Sequence, residues 1–214
     1  MIITCLGHAK FLLELANGMK LVTDPFDAST GYPIHPLRVD AVLVSHHHHD
    51  HDAVETLTGY DKLIDTAGEH TLAPDTHVTA IPAFHDDCHG AKRGGTLLFV
   101  IESEGLRVAH LGDLGHLPTP EQLTALGRVD VLMLPVGGFF TIDAEQAKRV
   151  CEAIAPSVIL PMHYRTAANA SWPIAPVDDF TALFDVPAEE LDLLRVTAGD
   201  LKCQPKLAVL RAQG

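Results

Sequence analysis

Apolar and polar positions alternate over short stretches of this chain, and turn residues cut the stretches apart. Residues 2–6, 10–15 and 19–23 read as three strands, with Asn17-Gly18 between the second and third as a hairpin signal. Asp24-Pro25 stops the third strand, and Pro33 and Pro36 mark a loop. Residues 41–45 (AVLVS) are a continuous apolar run of the buried-strand kind that ends at a run of histidines. Asp52, with Glu55 three positions on, predicts the start of a short helix. A strand is predicted over 76–81, halted by Pro82, and a strand pair over 96–102 and 106–111 around Ser103-Glu104-Gly105. Helices are predicted over 120–126 and from an Asp143 cap to about residue 153, with strands over 129–134 and 157–160. The tail from about residue 177 reads as a helix and one or two strands.

Hairpins come first, then strands alternating with helices, in two rough strand-rich halves. That order predicts an α/β protein in which two sheets pack face to face with helices outside, rather than a doubly wound parallel sheet. A length of 214 residues suits one domain, 1–214. Functional residues are then expected in loops at the strand ends.

Composition narrows the classes. A chain 47% hydrophobic and 20% charged is neither disordered nor fibrous. No apolar run approaches the ~20 residues that span a bilayer, so no membrane partner is expected. The start, MIITCLGHAKFLLEL, has no basic segment followed by an uninterrupted apolar one, so a cytoplasmic location is expected. The net charge of −13 disfavours a nucleic-acid partner while leaving room for a local basic pocket. Cys5, Cys88, Cys151 and Cys203 are far apart and form no C-x-x-C pair. They read as reduced thiols rather than as a disulfide framework or a cysteine zinc site, with Cys88 placed in a histidine-rich loop.

The chemistry is concentrated in Ser45-His46-His47-His48-His49-Asp50-His51, which holds five of the 14 histidines. Within it lies H-x-H-x-D-H: His46, His48, Asp50, His51. Alternate residues leaving a strand point the same way, so His46 and His48 can grip one ion. Asp50 and His51 follow where the chain turns and can face the same pocket. These donors exceed what one four-coordinate zinc with an open position uses, which suggests two metals. Further candidates follow other predicted strands: His85, Asp113 and His163. His89 competes with His85, His116 could reach the rim, and His110 lies inside a strand and reads as structural.

With these residues in place the chain resembles a metallo-β-lactamase-fold hydrolase, and in particular the branch of the ascorbate-phosphate lactonase and its uncharacterised cytoplasmic relatives. The resemblance rests on Gly7-His8, Thr23-Asp24-Pro25, Ser45-His46-x-His48-x-Asp50-His51, Phe84-His85, Leu111-Gly112-Asp113 and Pro161-Met162-His163-Tyr164, about three quarters of the chain. It implies a four-layer αββα sandwich with the metals at one edge, between the two sheets. It implies that His46, His48 and His85 bind a first metal, that Asp50, His51 and His163 bind a second, and that Asp113 bridges them. Asp24 would stand behind the ligands and orient a ligand histidine. His47 and His49 fall on variable positions and are expected not to be ligands.

The implied activity is that of a dinuclear metal-dependent hydrolase. A metal-bridging hydroxide would act on a small, anionic ester, lactone or phosphodiester, with Asp50 as ligand and proton handler. Zinc is the first expectation; manganese, iron or nickel also suit a His/Asp site. A small-molecule substrate is the expected partner, and a homo-oligomer stays open. A nuclease or phosphodiesterase acting on nucleic acid, or a non-enzymatic metal-binding or sensing protein, are the alternatives. GxSxG and Gly-rich phosphate loops are absent. Lys92, Arg93 and Arg165, with His8 and His116, are expected at the pocket mouth as anchors for an anionic group. Phe139 and Phe140 could wall the cavity.

Overall fold

A computed structural model describes residues 1–213. The chain begins with β1 (Ile2–Gly7), β2 (Lys10–Glu14), β3 (Lys20–Thr23), β4 (Leu37–Arg38), β5 (Ala41–Leu43), β6 (Leu57–Thr58) and β7 (Lys62–Ile64). It continues with β8 (Gly68–Ala73), β9 (Thr76–Phe84), β10 (Gly95–Ser103), β11 (Leu106–His110), α1 (Pro120–Leu126), β12 (Val131–Pro135), α2 (Ala144–Ile154) and β13 (Val158–Met162). It ends with α3 (Val177–Thr181), β14 (Glu189–Leu191), β15 (Leu194–Arg195) and β16 (Ala208–Leu210).

Two six-stranded sheets result, ordered β15-β1-β2-β3-β5-β7 and β13-β12-β11-β10-β9-β8. Each is mixed, with antiparallel hairpins giving way to parallel pairs, β3-β5-β7 in the first and β11-β12-β13 in the second. The alternation of β1 puts Ile3 and Cys5 inward, and Phe11, Leu13, Leu21 and Leu43 join them from the same sheet. They meet Val78, Phe99, Ile101, Val108, Met133 and Leu160 of the other sheet in one buried core. β12 and β13 of the second sheet are buried on both faces, which is why they read as unbroken apolar runs.

Its outer face carries the helices. Thr119 and Asp143 each close a capping box, with Gln122 and Gln146 respectively, and start α1 and α2. Ala147, Val150 and Cys151, at helical spacing, pack α2 onto Leu132 and Leu134. The outer face of the first sheet, Leu12, Val22, Val42 and Val44, is covered instead by Val39, Leu57 and the two-stranded β4-β6 ribbon. The helix predicted after Asp52 belongs to this layer and is one 3₁₀ turn, Val54–Thr56. Leu57-Thr58-Gly59 cannot extend it, because the chain there pairs as β6. Among the described residues no helix is long and apolar enough to cross a membrane.

β9 extends beyond the predicted set, and β4, β6, β7 and β8 lie outside it. β9 runs through Pro82 to Phe84. Its neighbour β8 pairs with it only as far as Ala80, so Pro82 sits where no bond is needed on that side. β8 itself (GEHTLA) is an exposed edge without apolar alternation and gave no signal. The tail holds three short strands, not one or two.

The cysteines show the core's protection. Burial pushes the Cys5 thiol up to about 11 and the Cys151 thiol up to about 12, whereas Cys203 is exposed. At pH 8 a thiol of pKa 11 is ionised in about one molecule per thousand, and the thiolate is the nucleophile. Iodoacetamide at pH 8 is therefore expected to label Cys203 and leave Cys5 and Cys151 intact; mass spectrometry showing Cys5 or Cys151 modified in the folded protein would contradict this.

Candidate metal centre

The site gathers where strand ends of both sheets meet. His8 follows β1, Asp24 follows β3, His46 to His51 follow β5, His85 follows β9, Asp113 follows β11 and His163 follows β13. The backbone ties these ends together: Leu97 donates to the Ser45 carbonyl and His163 to the His8 carbonyl. His8, Asp24 and His163 all adopt left-handed φ of 53°, 40° and 53°. Non-glycine residues accept such strain chiefly where a site demands it.

Asp113 is the centre. Its Oδ2 lies 3.2 Å from His163 Nε2, 3.3 Å from His51 Nε2, 3.3 Å from His85 Nε2 and 3.9 Å from His46 Nε2. Burial alone would raise its pKa, but the facing His163 and His51 hold it well below the usual carboxylate range. Three donor sets form around it: His46, His48 and His85; His8, Asp50, His51 and His163; and His46, His51 and Asp113, each with one ligand atom per residue within 4.8 Å of the others. Donors about 2.1 Å from one tetrahedral ion stand about 3.4 Å apart, so the Asp113 distances suit shared coordination.

Behind these groups lies a relay that fixes ring orientation. Asp24 accepts from Ser45 N and Ser45 Oγ, both at 2.7 Å, and from His51 Nδ1 at 2.9 Å. With its proton given to Asp24, Ser45 Oγ accepts from His46 Nδ1 at 2.9 Å. Both rings therefore carry hydrogen on Nδ1 and turn Nε2 toward Asp113. Those two Nε2 atoms and Asp113 Oδ1 are buried without a hydrogen-bond partner. Orphaned buried acceptors facing one another are costly unless a cation satisfies them. Burial holds the His46 pKa down at about 3, so its Nε2 lone pair is available at neutral pH. Burial opposes charge on His51 too, but Asp113 and Asp24 on either side raise its pKa well above the ordinary value. The position favours positive charge, and the donor set fits divalent ions.

His8 lies deeper than a mouth residue would. It is buried, its Nε2 stands 3.2 Å from Asp50 Oδ2, and its ring is 4.2 Å from that of His163. Burial and then His163 lower its pKa to about 4. His47 and His49 point outward, to Asp52 and Asp65 and to Ser29 and Asp27 respectively.

A pocket of about 480 Å³ opens over the centre, lined by His48, Asp50, His85, Arg93, Phe140 and Trp172 among others. Of the expected cations only Arg93 reaches it. Lys92 is exposed and pairs with Asp87 at 3.2 Å. Arg165 lines a second recess with Tyr32 and Tyr164, which shares His163 with this pocket and also holds His8. Both His116 nitrogens are engaged by backbone, Nε2 by Phe84 N and Nδ1 by the Leu117 carbonyl. His89 is exposed and packs on Phe84, and His110 binds the Ala9 carbonyl and Gly112 N inside the core. Sequence reasoning missed Ser45 as relay, Trp172 as wall and Asp86. Buried Asp86 accepts from the backbone of Cys88, Gly90, Lys92 and Arg93 and so shapes the loop after His85.

Gly115 holds this loop in place. A Cβ there would lie 2.2 Å from Asp86 N and 2.4 Å from the His85 carbonyl carbon. Gly115→Ala is expected to displace His85, destabilise the fold by about 1–3 kcal/mol and lower metal occupancy. Unchanged melting and metal content would contradict the packing argument.

The fold and this donor set define a class. Residues 2–163 match the family model of the beta-lactamase superfamily domain. The chain is 32% identical over 196 residues to a UPF0173 metal-dependent hydrolase of Archaeoglobus fulgidus, covering 77% of this chain and 83% of that one. It is 32% identical over 219 residues to another from Thermococcus onnurineus, covering 88% and 94%. The crystal structure of a Thermotoga maritima protein assigned as a Zn-dependent hydrolase of the metallo-β-lactamase superfamily superposes with a TM-score of 0.79 at 37% identity, covering 98% of this chain and 97% of that one. The chain thus belongs to the beta-lactamase superfamily, and within it to the UPF0173 family of metal-dependent hydrolases.

Proposed function

We propose that the protein is a dinuclear hydrolase of the cytoplasm acting on a small ester, lactone or phosphodiester. In this reading His46, His48 and His85 hold one divalent ion, Asp50, His51 and His163 hold a second, and Asp113 serves both. Zinc is the first expectation for a His/Asp set. The observation that carries the reading is the single Asp113 oxygen placed among four histidine Nε2 atoms at 3.2–3.9 Å.

Bound ions would acidify a water and polarise the bond to be cleaved. The chain's own groups do the rest. Asp50 Oδ2, held by His8 Nε2, takes the proton released by the attacking water and returns it to the leaving oxygen. Phe140 and Trp172 exclude bulk water from one side of the pocket. The open pocket favours catalysis over storage, since a storage site is closed by protein ligands. A polymeric nucleic acid would need a basic track, and among the described residues Arg93 is the one cationic side chain lining this pocket.

Metal analysis of the purified protein is expected to give about two ions per chain, with hydrolysis of at least one of 4-nitrophenyl acetate, a small lactone and bis(4-nitrophenyl) phosphate. One ion per chain, or a metal-loaded protein inert on all three, would overturn the reading.

A further inference from the structure

Beside the metal centre the pocket has an apolar, aromatic side and a single fixed cation. Trp172 and Phe140 stand with ring centroids 6.3 Å apart, near perpendicular, and Pro173 continues the wall. The Arg93 guanidinium carbon lies 5.5 Å from the Phe140 ring centroid, and its Nη2 donates to the Phe139 carbonyl at 3.0 Å. Among the described residues no carboxylate lies within ion-pair distance of this guanidinium, although the chain has 28 acidic and 15 basic residues.

The cation is held from several sides. Asp86 accepts from the backbone N–H of Arg93 at 2.8 Å and from three other N–H groups of the loop, which fixes where the side chain leaves the backbone. Phe139 adopts a left-handed φ of 60° and is exposed, so the chain spends strain and an apolar surface to turn its carbonyl toward Arg93. A guanidinium fixed by stacking and one hydrogen bond, without a counter-ion, is preorganised for a carboxylate or phosphoryl group. The space of about 480 Å³ suits a ligand no larger than an ordinary metabolite.

We propose that Arg93, Phe140 and Trp172 form a recognition subsite for a flat apolar group carrying one anionic group. Resting on the hydrolase reading above, this assigns the substrate class as a small aromatic or similarly planar ester, lactone or phosphodiester bearing a carboxylate or phosphoryl group. The anion docks on Arg93 and the planar part lies against Trp172, which leaves the scissile bond toward Asp50 and Asp113.

Trp172 is the chain's one tryptophan, so its fluorescence reports on this pocket and needs no turnover. Titrate the purified, metal-containing protein with phenylacetate, benzylphosphonate, the neutral isostere phenylacetamide, and acetate. At least one aromatic anion is expected to saturate the signal at about tenfold or more lower concentration than phenylacetamide and acetate. Which anion binds more tightly distinguishes carboxylate from phosphoryl recognition. Arg93→Gln is expected to abolish the preference for the anion, and Arg93→Lys to restore part of it. Equal binding of phenylacetamide and both anions would overturn the proposal. So would acetate binding as tightly as the better of the two aromatic anions, or a preference that survives in Arg93→Gln, which places the anion on the metals. The hydrolase reading stands or falls separately: an anion preference lost in Arg93→Gln supports the subsite even if no ester is cleaved.

Discussion

Replacing Asp113 with asparagine is expected to lower kcat/KM by about 10³-fold and to remove at least one ion per chain. The carboxylate sits in the middle of the donor set, with Oδ2 within 3.9 Å of four histidine nitrogens and Oδ1 buried without a partner. Asparagine keeps the shape but offers one oxygen and one NH₂ group. The NH₂ group cannot coordinate, and it points hydrogens at nitrogens whose lone pairs already face inward. Asp113→Glu is expected to fail almost as badly, because an extra methylene pushes the carboxylate into rings packed around a residue 2% exposed. Metal content by mass spectrometry and initial rates on the best substrate found decide the matter, with circular dichroism confirming the fold. An Asp113→Asn protein that keeps all its metal and more than a tenth of its activity would remove Asp113 from the centre.

The seven expected metal-binding side chains were legible because each follows a run whose apolar pattern marks a strand, and strand ends in stacked sheets converge. The place of Asp24 was legible too, since Asp24-Pro25 ends β3, but its part behind the ligands came from the family resemblance. Side-chain direction past the strand ends was not legible. Lys92 and Arg93 are adjacent, yet one pairs with Asp87 in solvent and the other enters the pocket. What separates them is the Asp86 carboxylate wrapping the loop, a tertiary arrangement with no periodic trace. His116 stands three residues past Asp113 but spends both nitrogens on backbone. Trp172 lies in an irregular segment where neither period operates. The false helix after Asp52 shows the converse: a local cap signal loses when the following residues pair as a strand and cover Val42 and Val44.

Asp24→Asn is the second substitution expected to have a large effect, although Asp24 is not among the expected ligands. Its carboxylate accepts three hydrogen bonds, from Ser45 N, Ser45 Oγ and His51 Nδ1, and it is wholly buried. Asparagine can serve Ser45 N with its oxygen, but its NH₂ group then confronts His51 Nδ1. The ring avoids two donors face to face by moving its hydrogen to Nε2, and that hydrogen points at Asp113 where a lone pair is needed. The same change frees Ser45 Oγ from Asp24 and weakens the hold on His46 Nδ1. Metal affinity is expected to fall about 10–100-fold, the usual range when a carboxylate behind a metal-binding histidine is lost. Stability is expected to fall by about 1–3 kcal/mol for the mismatched buried donors, or roughly 2–12 °C in Tm for a chain of this size. Competition with a chelator of known affinity measures the first and thermal melting the second. If Asp24→Asn binds metal within threefold of the parent protein, the tautomer argument is wrong, whatever the melting curve shows.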